Sequence, residues 1–408
     1  MKKLSAILAV IGPGLFLVGY NIGTGSITTM AATGAEYGMV LVWPLLLSCI
    51  FTFFLIIAFG RYTAVTGDTA LYSFKTFFGQ GVALFVLFAL LLSEYASSMG
   101  VMAIMTQTVQ DWSRPLTSSG EGFSTVAMTF VFAGILYAIF WNGAYHIFEK
   151  ILALFVGLMG ISFVLTMFMV DPDPAEIVAG LMPRIPEGSN APLLIAGMAG
   201  TTMGGVLYVV RSILVKEKGW TAADLLIERR DALVSVIVMF VLSAAIMVSA
   251  AGTLHPRGLV VENAIDMVRL LEPLAGRFAI SVFVAGIVCA GLSSLFPIAI
   301  LGPWLLADYR NVPRNLQSVQ SRIFVASVLA LGFVVPIFGG RPVLVMIASQ
   351  ALLTLATPLI IILMVILLNR EAIMGEHRPT LAMNVVLGII FAFSVAMAGI
   401  GVVGLAAL

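Results

Sequence analysis

The chain has 408 residues, of which 61% are hydrophobic and only 10% charged, and its mean hydropathy is +1.10. That surface chemistry excludes a water-soluble globule of this size and points to a polytopic membrane protein. A net charge of +1 gives no electrostatic footprint for nucleic acid, and two cysteines in apolar stretches, Cys49 and Cys289, give no disulfide framework.

Windows of about 20 apolar residues are long enough to cross the hydrocarbon as helices. In chain order they fall at residues 6–33, 38–60, 80–108, 124–142, 151–170, 192–215, 231–252, 278–307, 322–338, 342–368 and 380–405, so eleven spans are expected. Lys2 and Lys3 before the first window suit a retained first span better than a cleaved leader, since no convincing small-residue cleavage site follows. Placing the N-terminus in the cytoplasm puts 14 Lys and Arg on the cytoplasmic side and six on the other, with Arg211 inside a span. The positive-inside rule therefore predicts an inner-membrane protein with its N-terminus cytoplasmic and its C-terminus outside. The longest outer connections are 171–191 and 253–277, and the pattern VENAIDMVRLLEPL in the second suits a surface helix. No separate soluble domain can be cut out of 1–408.

Two spans carry interruptions. The first contains Gly23, Thr24, Gly25 and Ser26 within GYNIGTGSITT, and the sixth contains AGTTMGG, which includes Thr201, Thr202, Met203, Gly204 and Gly205. In lipid every backbone polar group needs a partner, so broken helices survive only where they line protein or a cavity. Five spans separate the two breaks, as expected if residues 1–170 and 192–368 are inverted repeats and 380–405 an extra span. Paired breaks of that kind point to a substrate site between the halves of a secondary transporter. The competing reading is that these small residues only let helices pack closely.

Several segments, taken in order, carry a family resemblance. GPG at 12–14, ATGAEYGMVLVWPLLLS at 32–48, AYHIFEKILALFVGLMG, IVAGLMPRIP, LEPLAGRFAISVFVAGIVCAGLSS and SQALLTLATPL at 349–359 together resemble the NRAMP family of LeuT-type transporters. The resemblance implies an all-α membrane fold with broken first and sixth spans. It also implies a metal site that this sequence does not keep. Gly23, Thr24, Gly25 and Ser26 stand where transition-metal members carry Asp-Pro-Gly-Asn, and Met203, Gly204 and Gly205 stand where they carry Met-Pro-His. Val210 replaces a second histidine, Leu292 replaces a glutamine of the eighth span, and Gln350 of the tenth is retained.

A dication in a low-dielectric cavity needs negative countercharge, and Mg²⁺ too normally sits beside one or two carboxylates. No metal ligand set is therefore expected. Helix restarts near Ser26 and Gly205 would offer free N–H groups and positive dipole ends, together with the hydroxyls of Thr24, Ser26, Thr201 and Thr202. The expected cargo is a small inorganic anion such as bicarbonate, without any resident cofactor and with Na⁺ as a coupling ion. The alternative is an atypical Mg²⁺-type transporter. Glu94 is an intramembrane acid, either a coupling group or a structural carboxylate. Arg211 either snorkels to the surface or lines the anion path; Tyr20 and Asn21 either flank the path or pack helices. The three histidines, His146, His255 and His377, all lie in connections, and no HExxH, GxSxG or P-loop is present, so an enzyme is not expected. The expected assembly is a monomer, and a channel is disfavoured because paired breaks suit alternating access.

Overall fold

The computed structural model describes residues 12–142, 145–170, 172–188, 190–263, 266–267 and 272–408. Lys2, Lys3 and the opening of the expected first span lie outside them. Among the described residues the chain is all helix and has no strand. Nine helices there are long and apolar enough to cross a membrane, and a shorter apolar helix runs through Gly157–Met169.

The first expected span divides into α1 (Gly12–Asn21) and α2 (Thr24–Tyr37); α3 (Val42–Thr66), the short α4 (Ala70–Phe78) and α5 (Gln80–Ser113) follow. Then come α6 (Thr125–Asn142), α7 (Tyr145–Met169) and α8 (Pro174–Ala179), the last inside the 171–191 connection, where Asp173 Oδ1 accepts from the Ala175 N–H at 2.8 Å as an N-cap. The sixth span divides into α9 (Ala191–Met203) and α10 (Gly205–Lys218) and is followed by α11 (Leu225–Thr253) and α12 (Glu272–Arg310). The surface helix expected in VENAIDMVRLLEPL falls partly, at 264–265 and 268–271, on residues outside the described set. Among the described residues the helix of the eighth span already includes Glu272, six residues before the start its hydropathy suggested. The ninth span is α13 (Val319–Leu331) plus α14 (Val334–Phe338), and α15 (Pro342–Asn369), α16 (Glu371–Met374) and α17 (Leu381–Ala406) complete the chain.

The burial pattern follows from the sequence of each span. The most apolar window of the sixth span is wholly buried, whereas that of α17 is mostly open. Phe85, Phe88 and Leu92 on α5, and Ile161, Leu165 and Phe168 on α7, turn large apolar side chains outward, as helices facing lipid tails must. The sixth span is thus an axis. Its first half α9 packs on α15 and α17, α15 packs on α5, α11 packs on α2 and α3, and α12 packs on α5 and α7. Small residues allow the close approaches: a Cβ at Gly200 would lie 1.8 Å from the Gln350 carbonyl oxygen, and one at Gly34 would lie 2.2 Å from that of Met247.

The candidate substrate cavity

The first break is shorter than the sequence suggested. The Ile22 N–H still reaches the Val18 carbonyl at 2.8 Å, Gly23 alone is extended (φ −108°, ψ −166°), and α2 restarts at Thr24 rather than near Ser26. Gly23 provides no side-chain cap, so the first N–H groups of α2 have no intrahelical acceptor. The second break is confined to Gly204 (φ −61°, ψ 136°), because Gly200 to Met203 continue α9. The Gly205 N–H is already capped by Thr357 Oγ1 at 2.9 Å. The donor end expected at Gly205 therefore has a side-chain partner, whereas Gly23 gives that at Thr24 to Ser26 no side-chain cap.

The two breaks are joined to each other. Ser26 Oγ donates to the Asn21 carbonyl and lies 2.8 Å from Thr201 Oγ1. Asn21 Nδ2 donates to the Thr201 carbonyl at 2.6 Å, and Thr52 Oγ1 donates to the Thr202 carbonyl at 3.0 Å. The last carbonyls of α9 thus have donors from the first and second spans instead of from a continuing helix.

Beside this junction lies a cavity of about 40 Å³, room for a small ion with a water or two. The first span lines it with Tyr20, Asn21, Gly23 and Gly25, and the sixth with Gly200, Thr201, Gly204, Val206 and Leu207. Glu94, Ser97 and Val101 come from α5, Ser294 and Ile298 from α12, and Met346, Gln350 and Leu353 from α15. Among the described residues Glu94 is the one charged side chain in the wall; it is buried and accepts a hydrogen bond from the Tyr20 hydroxyl. Gln350 Nε2 donates to Ser97 Oγ at 3.1 Å. Glycine is required at two points of the wall: a Cβ at Gly23 would lie 2.0 Å from Ser294 Oγ, and one at Gly25 2.8 Å from Gln350 Cδ.

Six expected site residues lie elsewhere. Met203 turns away from the cavity toward Thr354, Thr357, Ser394 and Met397, against α17. Thr24 Oγ1 and Thr202 Oγ1 are buried with no hydrogen-bond partner among the described residues, and neither residue, nor Gly205, lines the cavity. Ser26 acts in the junction instead. Arg211 neither snorkels nor lines a path: it is fully buried, pairs with Asp231 and, at 3.0 Å, with Glu228, both on α11, and lies 5.3 Å from the Trp220 ring. Sequence distance to Lys216 alone favours snorkelling, but the two acids that α11 brings across hold the guanidinium inside. Conversely, Ser97, Ser294 and Met346 were not singled out in the sequence. Ser97 is three residues beyond Glu94 and Met346 four before Gln350, spacings that put each pair on one helix face.

Two further cavities flank the chamber. One of about 490 Å³ is lined by Thr69, Lys216, Trp304, Asp308 and Arg314, and one of about 190 Å³ by Glu36, Asn190, Glu262 and Arg341. In the first, Arg314 stacks over Trp304 at 4.3 Å and pairs with Glu217. Burial pulls its guanidinium down to about 10, which leaves it charged at neutral pH.

A helical membrane protein with two broken helices meeting at a buried polar chamber is a secondary transporter in architecture. The family model for natural resistance-associated macrophage protein-like chains matches residues 14–404, and the chain belongs to that NRAMP family, whose members are transporters rather than enzymes. The divalent metal cation transporter MntH of Caldanaerobacter subterraneus subsp. tengcongensis is 22% identical over 394 residues, covering 93% of this chain and 89% of that protein. MntH of Clostridium acetobutylicum is 25% identical over 224 residues, which is 53% of this chain and 50% of that relative. Among solved structures, the Eremococcus coleocola manganese transporter in complex with an aromatic bis-isothiourea substituted compound superposes with a TM-score of 0.72 at 14% identity, over 99% of this chain and 87% of that one. The fold is shared, and with it the LeuT-type arrangement.

Proposed function

We propose that this chain moves a small inorganic anion, bicarbonate first among them, by alternating access, with Na⁺ as the accompanying cation. It would do so as a monomer in the plasma (inner) membrane, N-terminus cytoplasmic and C-terminus outside. One observation carries the reading: Gly23 and Gly25, at the N-terminal end of α2 where no side chain caps the helix, share the chamber wall with what is, among the described residues, a single carboxylate, already bonded to Tyr20. A dication there would meet too little countercharge. Among the described residues no group of three or more His, Cys, Asp or Glu could hold a metal, and Met203 faces away. An anion is served by the positive end of α2 and by the Ser97 hydroxyl, and a monovalent cation beside Glu94 would make the pair electroneutral.

Relatives named as metal transporters motivate a second reading, and the wall offers it one specific support. Glu94, the Gln350 amide and the Met346 thioether share the chamber, and a carboxylate, an amide oxygen and a soft sulfur are metal ligands. Proteoliposome uptake separates the two. The anion reading expects saturable, Na⁺-dependent entry of ¹³C-bicarbonate and no entry of Mn²⁺ or Mg²⁺. Saturable entry of either metal without bicarbonate uptake would replace it with the second reading.

A further inference from the structure

The connection between α7 and α9 exposes apolar side chains where a loop in water would be polar. Val178, Leu181, Met182 and Ile185 are 64%, 40%, 71% and 55% exposed. Exposed apolar side chains gathered in this way mark a contact with another surface. Two features of the fold point to the bilayer as that surface. First, the segment continues a face that already meets lipid tails. Leu158, Ile161, Leu165 and Phe168 stand at i, i+3, i+7 and i+10 on α7, all turned outward, and α7 ends at Met169. Second, the segment is tied to the first turn of a membrane span. The Gly180 carbonyl accepts from the Trp43 N–H and the Arg184 carbonyl from the Trp43 indole, both at 3.0 Å. Trp43 is the second residue of α3, so its N–H has no acceptor within that helix. The fit is close, since a Cβ at Gly180 would lie 1.9 Å from the Met39 carbonyl oxygen.

We propose that residues 178–185 form an interfacial lipid contact, with these four side chains seated among acyl chains just below the headgroups. Charge decides which part of a lipid is bound. From Asp173 to Glu187 the chain carries three acids and one base, Arg184, so an anionic headgroup is disfavoured and hydrocarbon is the partner. The inference does not depend on what the chamber carries.

The test places nitroxide labels on single cysteines in a Cys49→Ala, Cys289→Ala background in phosphatidylcholine proteoliposomes, with oxygen and a water-soluble nickel chelate as collision partners. Met182→Cys and Ile185→Cys are expected to report a depth of about 5–10 Å into the headgroup and acyl boundary. Phe168→Cys should report lipid and Glu187→Cys water. Water-like readings at 182 and 185 would overturn the proposal. So would low collision with both partners there, which would mean that protein, such as a second copy of this chain, covers the segment. A second measurement needs no substitution and uses the natural chain reconstituted with a phospholipid that carries a diazirine near the carbonyl end of its acyl chain. Photolysis is expected to leave lipid adducts on peptides spanning 178–185 as well as on α7. Adducts on α7 alone would overturn the proposal.

Discussion

Ser26 and Thr201 are 175 positions apart, yet their hydroxyl oxygens lie 2.8 Å from each other at the junction of the two broken helices. The chain's own side chains thus form a direct bridge between the two interruptions. Ser26→Ala removes that bridge and the bond to the Asn21 carbonyl, leaving buried groups unpaired at about 1–2 kcal/mol. Thermal unfolding in detergent should show the loss. A double-mutant cycle with Thr201→Ala should return a coupling of about 0.5 kcal/mol or more, and an additive pair would show that the two hydroxyls do not interact.

Glu94 is the single carboxylate of the chamber among the described residues and is tied to Tyr20. Glu94→Gln keeps the shape and removes the charge. If Na⁺ rides beside this group, uptake by the variant should lose its Na⁺ dependence, with the half-saturating Na⁺ concentration raised about tenfold or more. An unchanged Na⁺ curve would move the coupling ion elsewhere.

Gly23 has no room for a methyl group, because Ser294 Oγ would lie 2.0 Å from it. Gly23→Ala should therefore reduce transport by about tenfold or more while the protein still inserts and purifies. Ser294→Gly in the same chain should restore a substantial part of the rate. Failure of that rescue would mean that the clash is not what the alanine introduces.

Arg211 with Glu228 and Asp231 forms a fully buried ion triad. Arg211→Met removes the guanidinium that two buried acids share and is expected to destabilise by about 3–5 kcal/mol, read as lost monodispersity or a lowered Tm. Adding Glu228→Gln and Asp231→Asn should recover much of it, since the two buried negative charges are then gone.

The spans and both breaks were legible because hydropathy windows and intramembrane glycines follow directly from the physics of a lipid solvent. The side of the break that each residue serves was not. Thr201 and Met203 are neighbours in the same turn region, but Thr201 faces the chamber and Met203 faces α17. That difference depends on helical phase relative to partners distant in the chain. Ser294 escaped notice for a related reason. Counting from the family's pattern singles out Leu292, and it is the packing of α12 against the first break that brings Ser294, two residues on, to Gly23. Arg211 was misread because its acids arrive from another helix, and no local spacing records that.

The ion triad also bears on which parts of the molecule can rock. α10 is tied to α11 through Arg211, so a displacement of the second half of the sixth span would pull on the seventh. The C-terminal end of α1 holds to α5 by the Tyr20 phenol and to α9 by the Asn21 amide, and α1 also packs on α10 and α11. A shift of that end would carry Tyr20 and Asn21 away from the chamber together.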